Sequence, residues 1–274
     1  MTKVWFVTGS SRGLGRAVVE AALAAGDSVI ATARKPSQMA DLVTQHSDRV
    51  LTLALDVTDN DAVLKAVRAG HEKFGRIDVV VNNAGYGDIE AIEDVSVESF
   101  RNQIETNFFG VVYVTKAVLP ILREQKQGYI FQVSSLGGRI GSVGLAAYQS
   151  AKWAVGGFST GLIQEVAPFG IKVTVLEPGG IRTDWAGASM TIPQVSEPYQ
   201  QTVGQFAEFV RGFHGQEPST PQKVAELILD LSNRDDVPFR LLVGPDAVEY
   251  AGKAAQVLAE SDKKWRELSV STVG

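Results

Sequence analysis

The 274-residue sequence contains no cysteine and only three histidines. The absence of cysteine excludes disulfide bonds and thiolate metal sites. The histidines, His46, His71 and His214, are scattered along the chain, and none has a second ligand at a spacing typical of metal sites. We therefore expect no bound metal.

Basic residues are in the minority, because 26 Lys and Arg stand against 31 Asp and Glu, for a net charge of −5. A nucleic-acid surface would need a basic face, so no nucleic-acid partner is expected. No apolar run approaches the roughly 20 residues of a membrane-spanning helix. No signal segment precedes the first predicted strand, which begins at Val4. These absences predict a cytoplasmic protein without membrane association.

The sequence does contain enough apolar residues for a packed core, since 45% are hydrophobic and 21% are charged. Short apolar runs typical of buried strands alternate with segments of helical periodicity. This alternation predicts an α/β fold with a doubly wound parallel sheet of about seven strands and helices on both faces. No linker-like shift in composition precedes residue 184, so we predict a single domain, 1–274. Strands are predicted at 4–8, 28–33, 50–55, 77–81, 129–135, 171–176 and 240–243, and helices at 14–25, 38–44, 59–74, 96–124 (interrupted near Asn107), 148–167, 221–232 and 246–267.

A glycine-rich turn joins the first predicted strand to the first predicted helix. Glycines in this position let the backbone approach a pyrophosphate, and the helix N-terminus supplies aligned N–H groups. The spacing is not the common Gly-x-Gly-x-x-Gly, but strand, turn and helix form the context that a dinucleotide site requires. The turn consists of Gly9, Ser10, Ser11, Arg12, Gly13, Leu14 and Gly15.

Tyr148 and Lys152 are four residues apart in a predicted helix, so their side chains share one face, about 5–6 Å apart at Cβ. The free phenol titrates at about 10. A neighbouring ammonium lowers that pKa toward the range of a general acid/base. Ser135 follows a strand at the edge where open α/β sheets bind ligands. The alternative is a solvated helix face for the pair and a simple turn around Ser134 and Ser135.

Together these motifs resemble the short-chain dehydrogenase/reductases, in their compact single-domain branch. The resemblance is close over residues 3–183 and loose over 221–244, and it implies a Rossmann-type fold and hydride exchange between a nicotinamide cofactor and a carbonyl/alcohol pair. The separation of thirteen residues between Ser135 and Tyr148 is the family's usual one and favours Ser135 over Ser134. The motifs are 8–15, Asp56-Val57, Asn82-Asn83-Ala84-Gly85, Asn107, Ser135, Tyr148 with Lys152, and Pro178-Gly179 with Thr183.

The resemblance implies a role for each of four catalytic residues. Tyr148 would give or take the proton of the substrate oxygen, and Ser135 would bind and polarise that oxygen. Lys152 would lower the pKa of Tyr148 and hydrogen-bond the nicotinamide ribose. Asn107 would hold a water that links Lys152 to solvent, the alternative being a helix kink or a solvated residue.

The resemblance also implies the cofactor contacts. Asp56 would contact the adenine and Val57 would donate from its backbone, although Asp56 could instead belong to the N-cap region of the next helix. The adenosine ribose would pack against Asn83, Ala84 and Gly85. The complete predicted set is Gly9, Ser11, Arg12, Gly13, Leu14, Gly15, Arg34, Asp56, Val57, Asn83, Ala84, Gly85, Tyr148, Lys152 and, around the nicotinamide, Pro178, Gly179, Ile181 and Thr183.

The end of the second strand favours NADP(H) over NAD(H). NAD-specific enzymes carry an acid there, about 20 residues past the glycine turn. Here Ala33 occupies that position, Arg34 follows, and Arg12 lies in the turn. No carboxylate would repel a 2′-phosphate, and two guanidinium groups could bind it. The alternative is that Arg34 and Lys35 form a solvated strand end.

Residues 184–219 break the alternation, and we interpret them as a substrate lid without regular structure. The segment has no Lys and a single Arg, Arg211, which predicts a neutral, largely apolar ketone, aldehyde or secondary alcohol. A 3-oxoacyl thioester is the main alternative substrate. Trp185, Met190 and Ile192 are predicted to contact substrate. Helical spacing favours core packing for Phe206, Phe209 and Phe213.

Two other functional classes remain open from the residues alone. A nucleotide-sensing regulator with this fold would be expected to lack Tyr148, Lys152 or Ser135, and all three are present. A sugar-nucleotide epimerase or dehydratase would prefer Thr-Gly-x-x-Gly-x-x-Gly and a larger C-terminal region.

The predicted helix that carries Tyr148 also contains Gly156, Gly157 and Gly161. Glycine in a helix costs about 1 kcal/mol relative to alanine, so close backbone packing is a reason for it. The resemblance places a dimer interface on this helix and the one before it. We predict at least a homodimer, and leave a tetramer open because the predicted tail, 246–267, could cover the surface that tetramers use.

Overall fold

The computed structural model describes residues 2–187 and 189–273. The strands are β1 Val4–Thr8, β2 Ser28–Ala33, β3 Val50–Ala54, β4 Val79–Asn82, β5 Gly128–Val133, β6 Ile171–Pro178 and β7 Arg240–Val243. In the described part of the chain they form one parallel sheet of seven strands, in the order β3-β2-β1-β4-β5-β6-β7. The predicted doubly wound parallel sheet is confirmed.

The helices connect the strands and begin and end at recognisable signals. The Asp59 side chain caps α3 by accepting from the Ala62 N–H at 3.0 Å, and left-handed Gly75 ends the same helix. The α-helices are α1 Gly13–Ala24, α2 Ala40–His46, α3 Asn60–Phe74, α4 Val97–Ile104, α5 Gly110–Gln125, α6 Ala146–Val166, α7 Gln205–Phe213, α8 Pro221–Leu231 and α9 Pro245–Val270.

Helices cover both faces of the sheet. Along β1, Trp5 and Val7 pack into one buried cluster with residues of α1 and α8. Val4 and Phe6 point the other way and pack with residues of α3, α5 and α6. This alternation follows from the two-residue period of a strand. It explains why the strands of a doubly covered parallel sheet read as continuous apolar runs.

The strand order determines where the binding crevice lies. β1 pairs with β2 on one side and with β4 on the other, so the connections diverge at this pair. Open α/β sheets bind ligands beyond the carboxyl ends of the strands at such a point. The glycine-rich turn follows β1 and the Asn83–Gly85 segment follows β4, so both lie at the crevice.

Two predicted segments differ from the structure in more than the positions of their ends. The 184–219 segment is not irregular throughout, because it contains α7 after three short helical turns. Phe206 is half-buried, but Phe209 is 61% exposed and Phe213 is 37% exposed, so core packing was the wrong interpretation for the last two. The tail is longer than predicted. It forms the 26-residue helix α9, in which Ala247 and Ala251 are buried and residues 255–270 are exposed.

Candidate active site

The glycine-rich turn presents free backbone donors at the start of α1. Gly9 and Gly13 have φ angles of +68° and +56°, which favour glycine. A Cβ on Gly15 would lie 2.3 Å from the Gly9 carbonyl oxygen, so no side chain fits there. No side chain among the described residues caps the N-terminus of α1. Its first N–H groups therefore remain available to an anion such as a pyrophosphate.

Two arginines lie exposed at the same end of the crevice. Neither Arg12 nor Arg34 forms an ion pair within residues 2–187 and 189–273. Arg16, one turn further along α1, is instead paired with Glu20 at 2.7 Å and with Asp41. Ala33, at the end of β2, is buried and contributes no charge. The charge next to the second strand is therefore positive and unneutralised.

The predicted adenosine contacts lie beyond β3 and β4. Asp56 is exposed, and one carboxylate oxygen accepts from the Thr58 N–H at 3.0 Å and from its hydroxyl at 2.8 Å. Asp59, not Asp56, caps α3. Asp56 is therefore not the N-cap residue itself, although its carboxylate bonds the turn that leads into α3. Among the described residues, its second carboxylate oxygen has no hydrogen-bond donor. Val57 is buried against Gly110, where a Cβ would lie 2.6 Å from its side chain.

Asn83 and Ala84 tie the end of β4 to the glycine turn. The Asn83 side chain donates to the Thr8 carbonyl oxygen at 2.9 Å, and the Thr8 hydroxyl accepts from the backbone N–H groups of both residues at 3.0 Å. Gly85 lies where a Cβ would be 2.5 Å from Asn107 Oδ1. These contacts fix the segment after β4 against the glycine-rich turn.

The segment after β6 forms the opposite wall. The Gly179 N–H donates to the Val243 carbonyl oxygen at 3.0 Å, and Ile181 bridges to Ser219. Thr183 Cγ2 lies 3.4 Å from the position that a Cβ on Gly13 would take. The wall that begins at Pro178 therefore faces the glycine turn across the crevice.

Tyr148 and Lys152 lie on one face of α6, and both are buried, at 7% and 4% exposure. Burial rules out a solvated helix face for this pair. Lys152 Nζ donates to the Val133 carbonyl oxygen at 2.8 Å and lies 5.6 Å from the centroid of the Tyr148 ring. The side chain therefore connects α6 to the end of β5 and places its charge beside the phenol.

The pKa values of the pair differ from the expectation that Lys152 lowers the pKa of Tyr148. Burial raises the pKa of Tyr148 to about 12, and the neighbouring Ser135 hydroxyl acts in the opposite direction. Burial also lowers the pKa of Lys152 to about 8. Removing water disfavours the charged form of each group, and that effect dominates here. In the environment that the protein's own groups provide, the Tyr148 phenol therefore keeps its proton at neutral pH.

The two adjacent serines have different environments. Ser134 is buried, and its hydroxyl donates to the Lys152 carbonyl oxygen at 3.2 Å, which makes it part of the packing under α6. The Ser135 hydroxyl accepts from the Gly137 N–H at 3.0 Å and lies close enough to Tyr148 to affect its pKa. Ser135 is therefore the serine that shares a site with the phenol.

Asn107 lies in a π-helical turn, Glu105–Phe109, that separates α4 from α5. The residue is fully buried. Its Oδ1 accepts from the Tyr86 N–H at 3.0 Å, and its Nδ2 donates to the Tyr86 carbonyl oxygen at 2.8 Å. π-helical turns often occur at functional sites. The side chain thus holds the segment after Gly85 in place, which the sequence pattern alone does not reveal.

Comparisons with known proteins identify this architecture. Residues 3–191 match the family model described as short chain dehydrogenase. An oxidoreductase from Botryotinia fuckeliana is 68% identical over 273 residues, covering 99% of this chain and 100% of the relative. The chain belongs to the short-chain dehydrogenase/reductase family.

Solved structures of this family are close to the present one. A short-chain dehydrogenase from Streptomyces avermitilis superposes with a TM-score of 0.93 at 36% identity, covering 100% of this chain and 99% of that one. An alcohol dehydrogenase from the archaeon Thermococcus sibiricus, complexed with 5-hydroxy-NADP, gives 0.73 at 26% identity, covering 89% and 96%. The chain is therefore an oxidoreductase that acts on CH–OH substrates with a nicotinamide cofactor.

The crevice of this short-chain dehydrogenase/reductase fits such a cofactor. The N-terminus of α1 is uncapped, and Gly15 admits no side chain. Arg12 and Arg34 form no ion pair among the described residues, and these features suit the phosphates of a nicotinamide dinucleotide. A nicotinamide held there would supply or accept the hydride. Among the described residues, no group of His, Asp and Glu could hold a metal ion, and no helix could cross a membrane.

A lid residue, Trp185, contacts Tyr148. The Trp185 ring lies 5.1 Å from the Tyr148 ring, centroid to centroid, at an interplanar angle of 54°. Both rings pack on Gly87, where a Cβ would lie 2.9 Å from Trp185 and 3.0 Å from Tyr148. Sequence reasoning singled out Trp185 for its lack of periodicity, but it missed Gly87, because nothing in the local pattern marks its contact with two aromatic rings.

Proposed function

We propose that this enzyme is an NADP(H)-dependent reductase/dehydrogenase that interconverts a neutral, largely apolar ketone or aldehyde and the corresponding alcohol. The observation that supports this proposal best is the buried Tyr148 phenol beside Ser135, in a crevice suited to a dinucleotide. The Ser135 hydroxyl orients the substrate oxygen, and Tyr148 donates its proton to that oxygen during reduction. A phenol that keeps its proton at neutral pH is the form that a proton donor needs.

Lys152 supports this chemistry in two ways. Its ammonium, held by the Val133 carbonyl oxygen, favours the phenolate that forms when Tyr148 loses its proton. Its remaining donors can bind the nicotinamide ribose. The side-chain amide of Asn107 bonds both the N–H and the carbonyl oxygen of Tyr86. A water relay from Lys152 to solvent would therefore share Asn107 with this structural contact.

The lid supports an apolar substrate. Trp185, Met190 and Ile192 pack in one cluster with Tyr148. Met190 and Ile192 also line an open groove of about 370 Å³, together with Gly187, Arg211 and His214. The lid side chains that pack with Tyr148 are apolar, whereas Arg211 is among the residues that line the groove. The reacting carbon is therefore proposed to carry an apolar substituent.

An absorbance assay at 340 nm tests the function and the substrate class together. We expect NADPH oxidation with neutral aromatic, terpenoid and steroid-like ketones, and weaker activity with 3-oxoacyl thioesters. The panel includes keto acids and their methyl esters, because Arg211 borders the groove. A preference for 3-oxoacyl thioesters of about tenfold, which corresponds to about 1.4 kcal/mol, would reverse the substrate assignment. If no member of the panel causes NADPH oxidation, the proposed reductase activity is wrong.

We propose that the protein forms at least a homodimer through α6. Gly156 cannot contact a second subunit, because it is buried and a Cβ there would lie 2.9 Å from Arg240 of the same chain. Gly157 and Gly161 are exposed with nothing within 4 Å of a built Cβ, and Trp153 on the same helix is 54% exposed. This smooth exposed stripe allows close approach of a second helix.

Gly157→Leu is expected to convert the dimer to a monomer in light scattering at micromolar concentration. A Cβ at this exposed position has no atom within 4 Å, and leucine favours the helix by about 1 kcal/mol over glycine, so the monomer should keep its fold. Gly252→Leu is the matched control, because Gly252 is also exposed in a helix with nothing within 4 Å. A wild-type monomer would contradict the proposal.

A further inference from the structure

A buried carboxylate links the Ser135 turn to the wall after β6. Glu177, the next-to-last residue of β6, is 0% exposed. Arg139 Nε donates to Glu177 Oε2, and Arg240 Nε donates to Glu177 Oε1 at 2.7 Å. Both carboxylate oxygens thus have a cationic partner. Charge-assisted hydrogen bonds of this kind are short and directional, so they hold the segments that carry the two arginines.

Arg139 belongs to the same rigid turn as Ser135. The Gly138 N–H donates to the Ser135 carbonyl oxygen at 2.9 Å, and the Arg139 N–H donates to the Leu136 carbonyl oxygen at 2.8 Å. The Gly137 N–H donates to the Ser135 hydroxyl at 3.0 Å. Displacing Arg139 therefore displaces the turn that orients the Ser135 hydroxyl.

Glu177 directly precedes the segment predicted to line the nicotinamide. Pro178 and Gly179 follow it in the chain, and the Gly180 N–H is held by Asp246 Oδ2 at 2.7 Å. A Cβ on Gly179 would lie 2.2 Å from the Asp246 carboxylate, so the backbone has little freedom there. The wall is therefore fixed on both sides, by Glu177 before it and by Asp246 after it.

We propose that Arg139 and Glu177 are positioning residues that set the distance and orientation between the Ser135 hydroxyl and the nicotinamide-lining wall. The inference rests on the proposed role of Ser135 in binding the substrate oxygen. Hydride transfer requires the reacting carbon and the donor within a narrow range of geometry. An ion pair between the two segments that carry these groups maintains that geometry while neither residue touches the substrate.

Arg139→Gln tests the proposal without leaving a buried charge unpaired, because Arg240 remains on Glu177. We expect kcat for ketone reduction to fall by about tenfold or more. The primary deuterium isotope effect on kcat, measured with deuterated NADPH, should rise because hydride transfer becomes slower. The NADPH dissociation constant, measured by tryptophan fluorescence, should not change. Arg139→Lys should restore part of kcat, since it keeps the charge.

Hydrogen exchange supplies a readout independent of turnover. Amides of residues 134–140 should exchange faster in Arg139→Gln than in wild type, whereas β1 and β4 should not change. Arg234→Gln is the matched control, because it removes another arginine ion pair, to Asp230 at 2.7 Å, outside the site. It should alter none of these measurements. If Arg139→Gln does not fold, Arg139→Lys is measured instead, and the same changes are expected at smaller size because the charge is kept.

The outcomes separate this inference from the proposed function. Unchanged exchange of residues 134–140 in Arg139→Gln overturns the positioning role, whatever the activity. A wild-type kcat and isotope effect in Arg139→Gln, alongside an inactive Ser135→Ala, overturns it while the function of Ser135 stands. A fully active Ser135→Ala refutes the proposed role of Ser135 instead.

Discussion

Tyr148→Phe is expected to lower kcat by about 10²–10⁴-fold while NADPH still binds, because general acid catalysis typically contributes that much. The ring, with its contacts to Trp185 and Gly87, remains, and only the transferable proton is lost. Steady-state kinetics at 340 nm give kcat, and tryptophan fluorescence gives the dissociation constant of NADPH. A variant that retains more than about a tenth of the wild-type kcat would rule out Tyr148 as the proton donor.

Tyr129→Phe is the matched control for this experiment. Tyr129 is also buried, its pKa is also raised by burial to about 12, and its hydroxyl is hydrogen-bonded to Thr174 at 2.7 Å. It lies on β5 in the hydrophobic core, away from the lid. Losing its hydrogen bond should cost about 1 kcal/mol of stability, with no loss of kcat. An equal loss of kcat in both variants would mean that the hydroxyls matter only for packing.

Ala33→Asp is expected to shift the ratio of kcat/KM for NADPH over NADH toward NADH, by about 10- to 100-fold. A carboxylate at the end of β2 would repel a 2′-phosphate and accept hydrogen bonds from a free ribose hydroxyl. Hydrogen bonds to charged groups contribute about 1.5–3 kcal/mol, which sets this range. The measurement is kcat/KM for both cofactors with one ketone. A wild-type preference for NADH would contradict the NADP(H) proposal.

Arg34→Gln and Arg16→Gln separate phosphate binding from general electrostatics. Arg34 has no ion pair in the part of the chain that the structure describes, whereas Arg16 is engaged by Glu20 and Asp41. Arg34→Gln should therefore weaken NADPH use and leave NADH use largely unchanged. Arg16→Gln should leave the ratio between the two cofactors as it is. Equal effects of both substitutions would show that no specific phosphate contact involves Arg34.

Much of the fold could be predicted because its signals are local. The apolar run 4–8 matches β1 residue for residue, and the interruption at Asn107 matches the π-helical turn Glu105–Phe109. Element ends were less accurate. The fifth strand was expected to run to Ser135 but ends at Val133, so Ser135 begins the turn instead. Strand ends depend on which neighbour supplies the next hydrogen bond, and a single segment does not contain that information.

The lid shows the same limit. Helical spacing predicted core packing for Phe209 and Phe213, and they do lie on α7, but both are exposed. Periodicity identifies the residues that share a face, and it does not determine what that face contacts. Trp185 has no periodicity, and its contact with Tyr148 arises only when the segment after β6 folds back over α6.

The sequence by itself determined the order of the elements, the glycine-rich turn and the four-residue spacing of Tyr148 and Lys152, since these depend on backbone geometry over a few residues. Only the tertiary structure decided the environment of these groups. Burial under the lid makes the pKa of Tyr148 rise where the pair alone suggested a fall. The sheet brings Arg139 and Arg240 to Glu177 from 38 and 63 residues away. Desolvation and long-range ion pairs depend on which distant segments become neighbours, and local sequence patterns do not specify those neighbours.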